Sequence, residues 1–223
     1  MNPEISLSKG LNRFYAKVYA IFGVGLAISA LSAYLCSTVF LNQFLNTMNN
    51  LTFMVLWIFE IVLVLVMGRQ AFKNPALTLA GFLVYSLLNG VTLTVTLLTY
   101  DFGTVTTAFI SSAATFLSMA AIGVFVKRDL SVVGRTAMSF LIGVLILMIV
   151  NMFMASSTLD YFISFVLILI FSGLTAYDNQ RIRTLYFEHQ AENDFGLASF
   201  MALQLYLDFI NLFLAFVRIF ARD

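Results

Sequence analysis

Charge is scarce in this chain. Of 223 residues, 10% are Asp, Glu, Lys or Arg, where a soluble domain carries roughly 25%. The balance is +1 at pH 7. No basic face is therefore available to neutralise a phosphate backbone, and the composition argues against nucleic acid as a partner. Cysteine occurs once, at Cys36, which rules out an internal disulfide. In its apolar surroundings the thiol is expected to be buried and inert. Histidine also occurs once, at His189, among Glu188, Glu192 and Asp194. Its ring could titrate near neutrality, but the setting predicts a solvated loop residue. No Cys/His spacing of a metal centre is present, and no resident cofactor is expected. Proline occurs only at Pro3 and Pro75, so almost nothing interrupts a helix over most of the chain. There is no low-complexity tract and no short-period repeat.

What fills the chain is apolar. Hydrophobic residues make up 61%, with 24 Phe, and the mean hydropathy is +0.96. One soluble core of this size could not bury so much apolar surface, which makes lipid the natural second solvent. Apolar stretches long enough to cross a bilayer recur near 18–40, 51–67, 76–99, 104–126, 136–155, 161–180 and 196–218. These predict an all-α membrane protein of seven transmembrane helices in one domain, residues 18–223, after a cytoplasmic N-terminal segment, 1–17. The first apolar run follows Lys9, Arg13 and Lys17 as a signal peptide would. It is longer than a signal peptide's apolar region, and is read as a membrane helix. Pro75 stands just before the third span, where a missing N–H costs little.

Lys and Arg set the orientation. They occur in the N-terminal segment, at Arg69 and Lys73, at Lys127, Arg128 and Arg135, and at Arg181 and Arg183. The intervening connections, at 41–50, near Asp101 and at 156–160, have none. The alternation predicts a cytoplasmic N-terminus and, with seven crossings, a C-terminus outside. Arg218 and Arg222 break the rule at that end, and a re-entrant last helix is the alternative. Asn50-Leu51-Thr52 is formally a glycosylation sequon, set too close to the membrane edge to carry weight.

Three carboxylates lie within the apolar stretches: Glu60, Asp178 and Asp208. An ionisable group costs of order 3 kcal/mol at a helix centre on insertion scales, so each needs a partner or water. Gln204, Asp208 and Asn211 are spaced four and three apart and form one polar stripe on a helix, predicted to face the bundle interior. Asp178 either pairs with Arg181 at the interface or meets Asp208 across the hairpin of the last two spans. In the second case Asp208 is further from the connection than Asp178, so part of 184–195 must be structured or the last helix must enter at an angle. Two carboxyls that meet cannot both readily ionise. One shared proton would link the two helices, and its loss would leave two repelling anions, a proton-operated latch. Glu60 has no basic residue one turn away, so its partner must come from another helix, water or an ion. Arg69, nine residues on, could reach toward the aspartate pair.

Thr107, Ser111, Thr115 and Ser118 in the fourth span either pack helices or line a hydrated path. The same holds for Ser86, Asn89, Gly90 and Thr96 in the third and Asn151 in the fifth. Gly23 and Ala27 form a small-xxx-small pair expected to pack helices.

These residues carry a pattern. The run Ala202-Leu203-Gln204-Leu205-Tyr206-Leu207-Asp208-Phe209-Ile210-Asn211-Leu212-Phe213-Leu214 closely resembles the signature of the Bax inhibitor-1 family. Gly173-Leu174-Thr175-Ala176-Tyr177-Asp178-Asn179-Gln180 is similar to that family's sixth-helix motif, and Lys127-Arg128-Asp129-Leu130-Ser131 to its loop between helices four and five. The resemblance covers nearly the whole chain. It implies a seven-helix fold whose last helix is central among the other six, and a pH-sensitive calcium leak. In that leak the aspartates matching Asp178 and Asp208 act as pH sensor and gate. Glu60 matches an acidic residue along the pore, and Arg69 is the nearest match to a basic residue that interacts with the pair. Gln204 and Asn211 would support the pore. The short ends of the chain suit a bacterial inner membrane protein rather than a cell-death regulator. Some bacterial relatives are linked instead to control of a membrane protease.

Three functions therefore compete. The first is a proton-gated calcium leak, with Asp178, Asp208 and Glu60 as transient oxygen ligands for a hard cation. The second is a regulatory protein acting on a membrane protease without ion flux. The third is an enzyme, since two intramembrane aspartates superficially resemble those of intramembrane aspartyl proteases. Leu205-Tyr206-Leu207 stands where those carry Gly-x-Gly, and no proline follows Pro75 to form their Pro-Ala-Leu motif, so no enzyme is expected.

Overall fold

The computed structural model describes residues 3–189 and 194–221, with side chains from Lys9 onward. Those residues form eight helices and no strand: α1 (Pro3–Ser37), α2 (Leu41–Thr47), α3 (Asn50–Gln70), α4 (Pro75–Thr99), α5 (Phe102–Phe125), α6 (Ser131–Met154), α7 (Ser157–His189) and α8 (Phe195–Phe220). All but α2 are long and apolar enough to cross a membrane, so the seven expected spans are present. Side chains start the helices by accepting otherwise orphaned N–H groups. Asn49 accepts from Thr52, Asn74 from Leu77, Asp101 from Thr104 and Asp194 from Leu197. The α6–α7 turn uses Ala155 at φ 49°, and Asn151 Oδ1 accepts from the Ser156 N–H.

Several boundaries differ from the hydropathy reading, and α1 begins at Pro3, inside the segment expected to precede the first span. The connection at 41–50 contains the short helix α2, which buries Phe44. More consequentially, α7 continues nine residues past the expected end at 180, to His189. Polarity rises there, but Ile182, Leu185 and Tyr186 keep helical spacing and all three are buried. His189 is therefore the last residue of a helix, not a loop residue, and its ring lies 4.6 Å from that of Phe72.

The chain forms two compact units. The first comprises Met1–Thr99 with Tyr186–Tyr206, the second Tyr100–Leu185 with Leu207–Asp223. In the first, α1 packs along α4. Its buried stripe is Phe14, Val18, Phe22, Ser29 and Ala33, which sets Gly25 and Ser29 against α4. A Cβ on Gly25 would strike the Phe82 ring, and one on Gly90 the Ser29 carbonyl. Gly23 and Ala27 lie off this stripe and are exposed, and Gly23 has nothing within 4 Å. The expected packing pair is thus replaced by Gly25 and Ser29.

In the second unit, Gly123 of α5 admits the backbone of Ala176 and the side chain of Asn179, while Gly134 of α6 admits the Tyr177 ring. The buried face of α5 is Ala108, Ser112, Phe116, Ala120 and Gly123. Thr107 and Ser118 are exposed and Ser111 and Thr115 half-buried, so that hydroxyl row does not form the packed face. Cys36 is half-buried rather than buried.

Burial separates the spans sharply. Of the most apolar window, 67% is buried in α8 against 11% in α3 and in α6. The apolar outer faces of α3 and α6 suit contact with lipid, whereas α8 is enclosed by protein.

Candidate functional site

The extension of α7 aligns the two aspartates. Asp178 lies 11 residues before His189 (189 − 178) and Asp208 lies 13 after Phe195 (208 − 195). At 1.5 Å per residue these are about 17 and 20 Å along their helices from the connecting segment, a mismatch of about 3 Å. Both side chains are buried, 5% and 4% exposed. They are close enough for the charge of Asp178 to act on Asp208, and Arg181, one turn further along α7, acts on Asp178.

The segment around Asp178 is held tightly. Ala176, Tyr177 and Asn179 meet α5 and α6 at the two glycines. Gln180 then grips the α5–α6 connection. Its Oε1 accepts from Leu130 N at 2.7 Å, and its Nε2 donates to the carbonyls of Arg128 at 2.8 Å and Val126 at 3.4 Å. Thr175 and Asn179 bond back to carbonyls of their own helix.

Asp208 contrasts with this saturation. Its Oδ2 is buried and has no hydrogen-bond partner among the described residues. Phe209, next along, is edge-on to Phe109 and Phe116. Asn211 donates to Leu207 O at 2.8 Å, so its amide N–H serves its own helix. Of the expected polar stripe only Asp208 is fully buried; Gln204 and Asn211 are half-buried.

Glu60 on α3 is 4% exposed and has separate company. Thr92 Oγ1 lies 3.5 Å from its Oε1, and Asn89 also acts on the carboxyl. Asn89 Oδ1 accepts from the Tyr206 hydroxyl at 2.8 Å, and that hydroxyl is 2.5 Å from Ser29 Oγ. A buried polar chain thus crosses α3, α4, α8 and α1. Arg69 is exposed in the last turn of α3. No group of three or more His, Cys, Asp or Glu gathers to hold a metal among the described residues. Sequence reasoning passed over Tyr206, Ser29 and Gln180 as site components. A tyrosine, a serine or a glutamine in a helix is unremarkable until its partner is known.

Seven apolar spans with buried carboxyls on three of them define a multi-pass membrane protein. The chain belongs to the Bax inhibitor-1 family: the family described as inhibitor of apoptosis-promoting Bax1 matches residues 11–223. An uncharacterized membrane protein of Streptococcus pyogenes serotype M1 is 42% identical over 216 residues, covering 96% of this chain and 94% of that protein. YrjE of Lactococcus lactis is 40% identical over 215 residues, covering 96% and 92%. The inner membrane protein YbhL of Escherichia coli K12 is 33% identical over 218 residues, covering 96% and 93%.

Proposed function

We propose that this protein is a pH-sensitive calcium leak of the bacterial inner membrane, gated by a proton that Asp178 and Asp208 share. The observation that carries this reading is the buried, unpartnered Oδ2 of Asp208 beside a second buried carboxyl. A carboxyl left without donors in a low-dielectric setting is expensive unless it holds or shares a proton. With one proton between them the two side chains attract and α7 stays with α8. When the proton leaves, two anions repel, and the vacated space carries the charge and oxygen atoms that a hard divalent cation prefers. The side-chain carbonyl of Asn211, one turn along α8 from Asp208, adds a further oxygen beside the pair. So sparse a donor set favours passage over storage. The placement of Lys and Arg in alternate connections supports a cytoplasmic N-terminus.

The test is calcium entry into liposomes containing the purified protein. The expected result is flux above that of empty liposomes, increasing as the shared proton leaves and reduced in Asp178→Asn and Asp208→Asn. Flux equal to that of empty liposomes overturns the reading. Retention of a membrane protease by the same preparation would then favour a regulatory role without ion flux.

A further inference from the structure

The polar chain at Glu60 has a proton count that does not close in a single arrangement. Ser29 Oγ lies 2.6 Å from Ser86 O, an atom that only accepts. It also lies 2.5 Å from the Tyr206 hydroxyl oxygen, which is itself 2.8 Å from Asn89 Oδ1. Ser29 Oγ also approaches Gly25 O, in its own helix, at 3.1 Å; each of the three shorter contacts needs a hydrogen, and two hydroxyls supply two. Rotating the Asn89 carboxamide by half a turn closes the count. Its Nδ2 then donates to Tyr206, Tyr206 donates to Ser29, and Ser29 donates to Ser86 O. The two orientations occupy the same volume and differ only in which end carries the donor.

That choice has a consequence at the other end of the amide. With Oδ1 on Tyr206, Nδ2 points toward Thr92, 3.5 Å away, and toward the Glu60 carboxyl, offering a donor to a carboxylate. Thr92 cannot replace it, because its hydroxyl hydrogen is directed to Asn89 O at 2.8 Å and only reaches Glu60 at 3.5 Å. With the amide turned, Oδ1 faces the same place and accepts from a protonated Glu60. We infer that the Asn89 carboxamide is a two-position relay through which the proton on Glu60 sets the direction of the Tyr206–Ser29 hydrogen bond, and so the tie between α8 and α1. No bond to carbon forms or breaks: one proton is gained or lost at Glu60, and the hydroxyl hydrogens re-aim.

The other titratable groups within electrostatic reach of Glu60 are the phenols of Tyr85 and Tyr206, whose rings stand edge-to-face at 5.8 Å. Both phenols keep their hydrogens below about pH 10, so neither supplies the switch. The inference does not depend on calcium leak, and absence of flux leaves it untouched.

Infrared titration of the protein in lipid tests it, with the Glu60 carboxylic band identified by its loss in Glu60→Gln. Ser29→Ala removes the acceptor that Tyr206 uses only when the amide is turned toward neutral Glu60. Glu60 should then hold its proton about threefold less tightly, its band vanishing about half a pH unit lower. Adding Tyr206→Phe to Ser29→Ala should abolish the difference that Ser29→Ala makes. A Glu60 titration unmoved by Ser29→Ala overturns the inference. Should Ser29→Ala fail to fold, the phenol C–O band of isotope-labelled Tyr206 decides. It should shift with pH in the native chain and not in Glu60→Gln; a band indifferent to pH in both overturns the inference equally.

Discussion

Asp208 is a buried acid with an oxygen that bonds to nothing described, and such a group costs about 1–3 kcal/mol of stability. Once the shared proton has left, removing it should therefore make the fold more stable while abolishing what it does. At alkaline pH, Asp208→Leu is expected to raise the thermal unfolding midpoint in detergent, by an amount equivalent to about 1–3 kcal/mol. A lowered midpoint at alkaline pH would mean that Asp208 holds the helices together without a shared proton. At the surface, Asp101 behaves oppositely. The hydrogen bonds that it accepts from Thr104 hold its carboxyl below the usual range. A depressed folded-state value gives stability that is present above the unfolded value and lost as pH falls through the folded one. Acid should thus weaken the start of α5 below the ordinary carboxylate range, and Asp101→Asn should flatten that part of the stability profile. The three acids were legible in sequence because a charge in an apolar run stands out. Tyr206 was not: its importance lies in a serine 177 positions away and an asparagine 117 away, which no local pattern links.

Elements were legible where hydropathy and helicity coincide, and misread where they part. The continuation of α7 to His189 is helical without being apolar. Its signal was the spacing of Ile182, Leu185 and Tyr186, all three buried. The packing face of α1 was missed for a related reason. Gly23 and Ala27 match a small-residue spacing, but the stripe through Phe14, Val18 and Ser29 turns Gly25 inward instead. Two substitutions separate these cases. Gly25→Ala pushes a methyl group into the Phe82 ring and should cost about 1–3 kcal/mol. Gly23→Ala meets open space and should be neutral or stabilising by up to about 1 kcal/mol; thermal unfolding of both in one detergent checks the contrast. Gln180 likewise ties the α5–α6 connection to α7. Gln180→Ala should loosen that connection, where Lys127 and Arg128 are already exposed, read as faster tryptic cleavage there with the helices otherwise intact.

For the whole molecule, the distribution of burial follows from two solvents. The poorly buried α3 and α6 can be apolar over their broad outer faces because lipid covers what protein does not. The heavily buried α8 carries an acid because neighbouring helices shield it from lipid. Seven spans and this hierarchy explain why so little charge suffices. The acids inside, Glu60, Asp178 and Asp208, are all buried, so protein rather than lipid surrounds them.

The central claim is that one proton held jointly by Asp178 and Asp208 controls passage. Calcium flux into proteoliposomes, measured from acid to alkaline pH for the native chain, Asp178→Asn and Asp208→Asn, addresses it most directly. The account predicts a flux that climbs with pH in the native chain and a low, pH-independent flux in both variants. A native pH profile retained by either variant would contradict it.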